Sequence, residues 1–275
     1  MSAGSFAGLS LEAPRIFGII NITPDSFSDG GEAYAVDDAV RQGQAMIEAG
    51  ADVLDVGGES TRPGAEPVTV DEEISRVQPV VRALADLGAC VSIDSRRAPV
   101  MAAAIEAGAK IVNDVTALTG DPDSIELIST SGQSVIVMHM QGEPSTMQEN
   151  PYYDDPAVEV FDFLKNRIQA CQDAGINRGR IAVDPGIGFG KTLDHNIDIL
   201  GRLELYRDLG SPVMLGASRK SFIGMISNGQ SPKDRVPGSL AAVLSAWANG
   251  VRLFRVHDVA ETRQALDVWQ AIEKN

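Results

Sequence analysis

Apolar positions along the chain follow two different periods. Short, nearly continuous β-rich runs recur at Ile16–Ile20, Val53–Val56, Val91–Ile93, Ile111–Val112, Val135–Met138, Ile181–Val183, Val213–Leu215 and Leu253–Val256. Between them the spacing becomes that of amphipathic helices, at Val36–Ala49, Val70–Ala85, Pro99–Ala107, Ala157–Ala174, Gly238–Ala248 and Val259–Ile272. Several of these open on Asp, Ser or Thr caps. Strands without polar alternates are buried on both faces, as in a parallel sheet flanked by helices. The alternation predicts a single-domain α/β fold, a closed (β/α)8 TIM barrel over residues 15–275 after a short N-terminal tail, 1–14. No GxGxxG follows the first strand, as it would in an open dinucleotide-binding sheet, and no linker, charge block or low-complexity tract marks a second domain.

What ends each strand is more informative than the strands. The ends read Asn21, Asp55-Val-Gly-Gly-Glu-Ser-Thr-Arg62, Asp94-Ser-Arg96, Asn113-Asp114, His139, Asp184-Pro-Gly, Ser218-Arg-Lys220 and Arg255-Val-His257. One Asp or Asn after a strand is ordinarily a helix cap or turn former. In a barrel all eight ends meet at one face, where active sites are built. Caps do not require Asp94, Asn113 and Asp184 to coincide with Arg62, Lys220, Arg255 and His257. A site for a polar heterocycle and an anion does, because buried carboxylates accept from ring N–H groups and arginines clamp phosphate. His195 and His139 read as core histidines, whereas His257 lies two residues after Arg255 at a strand end.

The formal charge of −15 excludes a nucleic-acid or anionic-membrane partner, since both need a basic surface. An anionic substrate must therefore be held by a few local cations. Cys90 and Cys171 have no metal-type spacing and read as buried thiols of a reducing compartment. The opening MSAGSFAGLSLEAPR has no basic leader before an apolar run, and no stretch nears the ~20 apolar residues of a membrane span. A cytoplasmic location is expected.

The stretches NITPDSFSDGG (Asn21–Gly31), DVGGESTRPGA (Asp55–Ala65), SIDS (Ser92–Ser95), VNDV (Val112–Val115), MHMQG (Met138–Gly142), DPGIGFGK (Asp184–Lys191), SRKS (Ser218–Ser221) and RVHD (Arg255–Asp258) run from the first strand to the last. In order and spacing the set resembles the dihydropteroate synthases. These folate-pathway enzymes join 6-hydroxymethyl-7,8-dihydropterin pyrophosphate to p-aminobenzoate and are sulfonamide targets. Residues Thr119–Asp123 depart from the family, which more often carries paired glycines there.

The resemblance implies a pterin pocket made by Asp94, Asn113, Met138, Asp184, Phe189, Lys220 and Arg255. Asp184 would accept from the pterin 2-amino group and N3–H, and Asn113 can donate and accept at once. It implies a pyrophosphate site at Asn21, Thr61, Arg62, Arg255 and His257, with Mg2+ held through Asn21. Arg62, Lys220, Arg255, His257 and Asp29 are the catalytic candidates. The carboxylate of p-aminobenzoate would sit at Ser221, where SRKS enters a helix, with Thr61 and Pro63 as one wall. The polar loop after Asn21 would bring Phe27 over the p-aminobenzoate ring. A homodimer is expected, as is usual in the family. The nearest rivals are a methyltetrahydrofolate-dependent methyltransferase barrel and a non-catalytic pterin-binding barrel. Neither has a use for the pyrophosphate clamp that STRPGA, SRKS and RVHD supply.

Overall fold

The computed structural model describes residues 4–22, 31–60, 68–143 and 146–274. In chain order the elements are β1 (Ser5–Phe6), β2 (Leu9–Ser10), β3 (Arg15–Asn21), α1 (Gly31–Glu48), β4 (Val53–Gly57), α2 (Val70–Asp86), β5 (Val91–Asp94), α3 (Ala98–Glu106), β6 (Ile111–Asp114) and α4 (Ser124–Ser131). There follow β7 (Ser134–Met138), α5 (Pro156–Asp173), β8 (Ile181–Asp184), α6 (Leu193–Gly201), β9 (Met214–Leu215), α7 (Ser221–Ile226), α8 (Val236–Ala248), β10 (Leu253–Val256) and α9 (Val259–Glu273). Short 3-10 turns at Arg178–Arg180, Leu203–Leu209 and Pro232–Arg235 complete the connections.

The eight apolar runs become β3 to β10, in the parallel order β8-β7-β6-β5-β4-β3-β10-β9. A parallel bridge between Val183 and Val213 joins the two end strands, so the sheet closes on itself. Helix starts follow cap chemistry. Thr69 accepts from the Glu72 amide ahead of α2, and Asp155 from the Val158 amide ahead of α5, where Pro156 takes the first helical position. Thr192 and His195 form a reciprocal capping box on α6, which gives His195 a structural task.

Residues 4–14, expected as a tail, contain the antiparallel hairpin of β1 and β2. Phe6 and Leu11 are buried against Phe17, Val53, Ile111, Ile136, Ala182, Met214 and Leu253, all seven from barrel strands and in the same apolar layer. Full burial of Phe6 contributes about 1.5–3 kcal/mol and plugs the floor of the barrel. The other side chains of the same strands, such as Ile16, Leu54, Val91, Val135 and Phe254, face the larger core under the helices.

Candidate active site

The floor and the site belong to one alternating pattern. Side chains on a strand change face at every residue, so the position two along from a floor residue again points into the barrel. Two along from Val53 is Asp55; from Ile111, Asn113; from Ile136, Met138; from Ala182, Asp184; from Met214, Gly216; and from Leu253, Arg255. On β4, β6, β8 and β10 the lumen thus passes from an apolar floor to a polar mouth in one step, while β3 carries Ile19, β7 Met138 and β9 Gly216. The polar ends are inward-facing, which separates them from ordinary helix caps.

Arg255 organises the first half of the mouth. Its Nε donates to Asp55 Oδ2 at 2.5 Å and its Nη2 to Asp94 Oδ2 at 2.6 Å. Asn113 Nδ2 also donates to Asp55 Oδ2, at 3.3 Å. Burial pushes the Asp94 carboxyl up to about 7, with Arg255 opposing the shift and Asp55 adding to it. The two carboxylates hold the Arg255 guanidinium above its ordinary range, although burial acts the other way. Asp55 is fully buried, and its Oδ1 has no hydrogen-bond partner. An inward acceptor without a partner is the feature a ligand N–H would satisfy. Asp55 is absent from the pocket expected from sequence, although its place two residues beyond Val53 was a usable signal.

Asp184 and Lys220 form the second half. Asp184 is buried, and its Oδ1 accepts from the Gly186 amide at 2.7 Å. Burial raises its carboxyl, with Lys220 the largest opposing influence. Lys220 donates to the Ile187 carbonyl and stands over the Phe189 ring, 4.6 Å from its centroid. Burial lowers its ammonium to about 8, against the pull of Asp184. Gly216 leaves open the space between these groups. A Cβ there would stand 3.6 Å from Asp184 Oδ2 and 4.0 Å from both Lys220 Nζ and Arg255 Cβ.

The SRKS and RVHD motifs are tied to each other. Ser218 Oγ accepts from the His257 amide at 3.1 Å and lies 3.0 Å from His257 Nδ1, which fixes the ring. Arg219, at φ 59 in the left-handed region, pairs through its Nε with Asp258 Oδ2 at 2.9 Å. Its strained backbone is held by the Arg219 amide donating to Ser239 Oγ and by Arg235 donating to the Arg219 carbonyl. This turn delivers Lys220 to the pocket and places Ser221 at the exposed start of α7. Asn21 ends β3, half-buried at the mouth and in register with Gly57. His139 is buried, with burial pushing its ring down to about 3, and it bonds to Lys191.

Phe27, Asp29, Thr61, Arg62 and Pro63 lie outside the described residues. Among the described residues no three His, Cys, Asp or Glu side chains gather as a metal cage. No helix there is long and apolar enough to cross a membrane.

The model of the pterin binding enzyme family matches residues 17–257. The dihydropteroate synthase of Escherichia coli strain K12 is 45% identical over 264 residues, covering 96% of this chain and 93% of the relative. The structure of Xanthomonas albilineans dihydropteroate synthase with 4-aminobenzoic acid is similar at a TM-score of 0.91 and 46% identity, covering 98% of this chain and 97% of that one. The complex of the same organism's enzyme with 7,8-dihydropteroate gives 0.88 and 43%, covering 97% and 96%. Because the match runs from the first barrel strand to the last and takes in every residue of the polar mouth, the chain belongs to the family of pterin-binding enzymes.

Proposed function

We infer that the chain is a transferase of folate biosynthesis that makes 7,8-dihydropteroate from 6-hydroxymethyl-7,8-dihydropterin pyrophosphate and p-aminobenzoate, releasing pyrophosphate. The observation that carries this is the buried set at the barrel mouth, in which Asp55, Asp94, Asn113 and Asp184 surround a space bounded by Arg255 and Lys220. Such a site suits a planar heterocycle rich in N–H donors. Asp184 accepts from the pterin 2-amino group and N3–H, Asn113 and Asp94 serve the other ring nitrogens, and Met138 and Phe189 line the ring. Lys220 reaches the ring carbonyl, and the Arg255 guanidinium lies against its face.

Chemistry follows from these positions. The C–O bond breaks with its electron pair going to pyrophosphate, leaving a methylene cation stabilised by the electron-rich ring. The p-aminobenzoate nitrogen then supplies the pair for the new C–N bond and releases its proton to water, so no protein base is required. Arg255 and His257, with Asn21, Thr61 and Arg62 in the same reading, gather the leaving group and offset its growing charge. Ser218 supports this by holding His257 Nδ1, which directs the far side of the ring to the anion. Phe27, Thr61, Pro63 and Ser221 belong to the p-aminobenzoate side of the reading, with the Ser221 hydroxyl meeting the carboxylate, and Asp29 remains a catalytic candidate.

Magnesium is part of the proposal. The Asn21 amide oxygen at the end of β3 would be a donor to a hard cation, and it fits an ion whose remaining ligands are phosphate oxygens and water. Bound there, it would neutralise the leaving group. A homodimer is also proposed, supported by Met225 and Ile226, which expose 63% and 59% of their surface on α7 beside an apolar cavity of about 430 Å3. Sedimentation would show a mass near twice that of the chain.

The activity is tested by measuring pyrophosphate release from the pterin substrate with and without p-aminobenzoate. Release that depends on p-aminobenzoate and matches dihydropteroate formation supports the reading. Methyl transfer from methyltetrahydrofolate with no such release would replace it by the methyltransferase.

A further inference from the structure

The chemistry above leaves one buried amine without a task. Lys191 closes the loop between β8 and α6 with 3% of its surface exposed, and neutral acceptors satisfy it in place of a carboxylate. Its Nζ lies 2.9 Å from the Gly186 carbonyl oxygen, 3.0 Å from that of Phe189 and 2.8 Å from His139 Nδ1; the His139 carbonyl is farther, at 3.4 Å. Three polar partners thus stand within 3.0 Å of the amine.

Those acceptors are placed to matter. Gly186 and Phe189 bracket the segment whose Ile187 carbonyl receives Lys220 and whose Phe189 ring lies under the Lys220 ammonium. The loop passes so close to the end of β7 that a Cβ on Gly186, at φ 68, would come within 1.9 Å of the His139 carbonyl oxygen. No side chain fits between the two segments, and Lys191 joins them from the adjoining interior.

We propose that Lys191 is a positioning residue of the pterin pocket, whose Nζ sets the orientation of Phe189 and, through the Ile187 carbonyl, of Lys220, without touching the ligand. The proposal rests on the pterin reading of the site. The remainder of the loop has its own anchors. The Gly188 amide donates to Asn196 Oδ1 at 2.7 Å, Gln148 Nε2 donates to the Gly188 carbonyl at 2.7 Å, and the Tyr153 hydroxyl donates to the Gly190 carbonyl at 2.9 Å. Loss of the Lys191 bonds therefore frees the pterin-facing part of the loop while its outer part stays fixed. A lysine that merely satisfied carbonyls would change thermal stability and leave ligand affinity alone.

The test is a double-mutant cycle in calorimetry with a pterin lacking pyrophosphate, at a temperature where circular dichroism shows every variant folded. Lys191→Met is expected to weaken pterin binding at least about tenfold, through loss of the hydrogen bonds that hold the ring contact. Combining it with Phe189→Ala should weaken binding little beyond the poorer single variant, because both act through the same ring. Unchanged affinity in Lys191→Met, or fully additive losses, would overturn the proposal. If Lys191→Met does not fold, Lys191→Gln, whose amide still donates to a carbonyl, is measured by the same two criteria. Failure of the unaltered protein to bind pterin would instead overturn the reading of the site, so the two failures are distinguishable.

Discussion

Asp184→Asn separates binding from stability more cleanly than any other change in the pocket. The carboxylate is buried, one oxygen holds the Gly186 amide at 2.7 Å, and the other faces the space beside Gly216 and Lys220. An amide can keep the Gly186 bond with its oxygen, and this orientation turns its NH2 toward both the pterin N–H edge and the Lys220 ammonium. Replacing a charged acceptor by a donor in a buried site costs roughly 2–4 kcal/mol of ligand binding, or about 30- to 900-fold in Kd. Two effects oppose each other in the free protein, since the amide escapes the burial cost of a charged carboxyl while Lys220 loses a carboxylate partner, so the change in stability should be small. Calorimetry at pH 7 gives the affinity, and thermal unfolding gives the control. Affinity within about threefold of the unaltered protein, at equal stability, would refute the assignment of Asp184 to the pterin edge.

Gly216→Ala should also weaken pterin binding by at least about tenfold with unchanged unfolding temperature, since its methyl makes only ordinary contacts with the protein but fills the ligand's space; equal affinity by calorimetry would place the ligand elsewhere. Pterin affinity should peak in a narrow pH window. It rises through about 7 as Asp94 loses its proton and becomes an acceptor, and falls above about 8 as Lys220 loses its charge. Asp94→Asn should remove the acid limb, and a pH-independent Kd would contradict both assignments. Asp258→Asn should lower kcat and weaken pterin binding together, because the Arg219 pairing orients the turn that carries both Ser218, which holds His257, and Lys220; steady-state kinetics beside calorimetry would show both, and an unchanged pterin Kd would contradict it. A sulfonamide, which resembles p-aminobenzoate in ring and anion, should bind only once pyrophosphate and Mg2+ are present, and tight binding to the free protein would show that its site is preformed.

The barrel was legible because its signal is local. Eight apolar runs with helical spacing between them leave few other architectures, and the polar strand ends named Asp94, Asn113, Asp184, Lys220 and Arg255, which the fold brings to one mouth. What escaped was relational. Asp55 heads a motif whose later residues drew attention, and its value appears only when Arg255, 200 positions away, reaches it. Gly216 matters as empty space, which a sequence does not display. The β1–β2 hairpin was hidden because two apolar residues, Phe6 and Leu11, gain their meaning from the open floor of a barrel formed by later strands. Three connecting 3-10 turns and the helices α4 and α6 are too short or too irregular in spacing to stand out.

A crystal soaked with a pterin would show whether the polar mouth of the barrel is a pterin site. The 2-amino and N3 edge should lie on Asp184, with Asn113, Asp94 and Asp55 within hydrogen-bond distance of the remaining ring nitrogens and the Arg255 guanidinium against the ring face. A pterin bound away from Asp184, or a mouth left empty at saturating ligand, would contradict it.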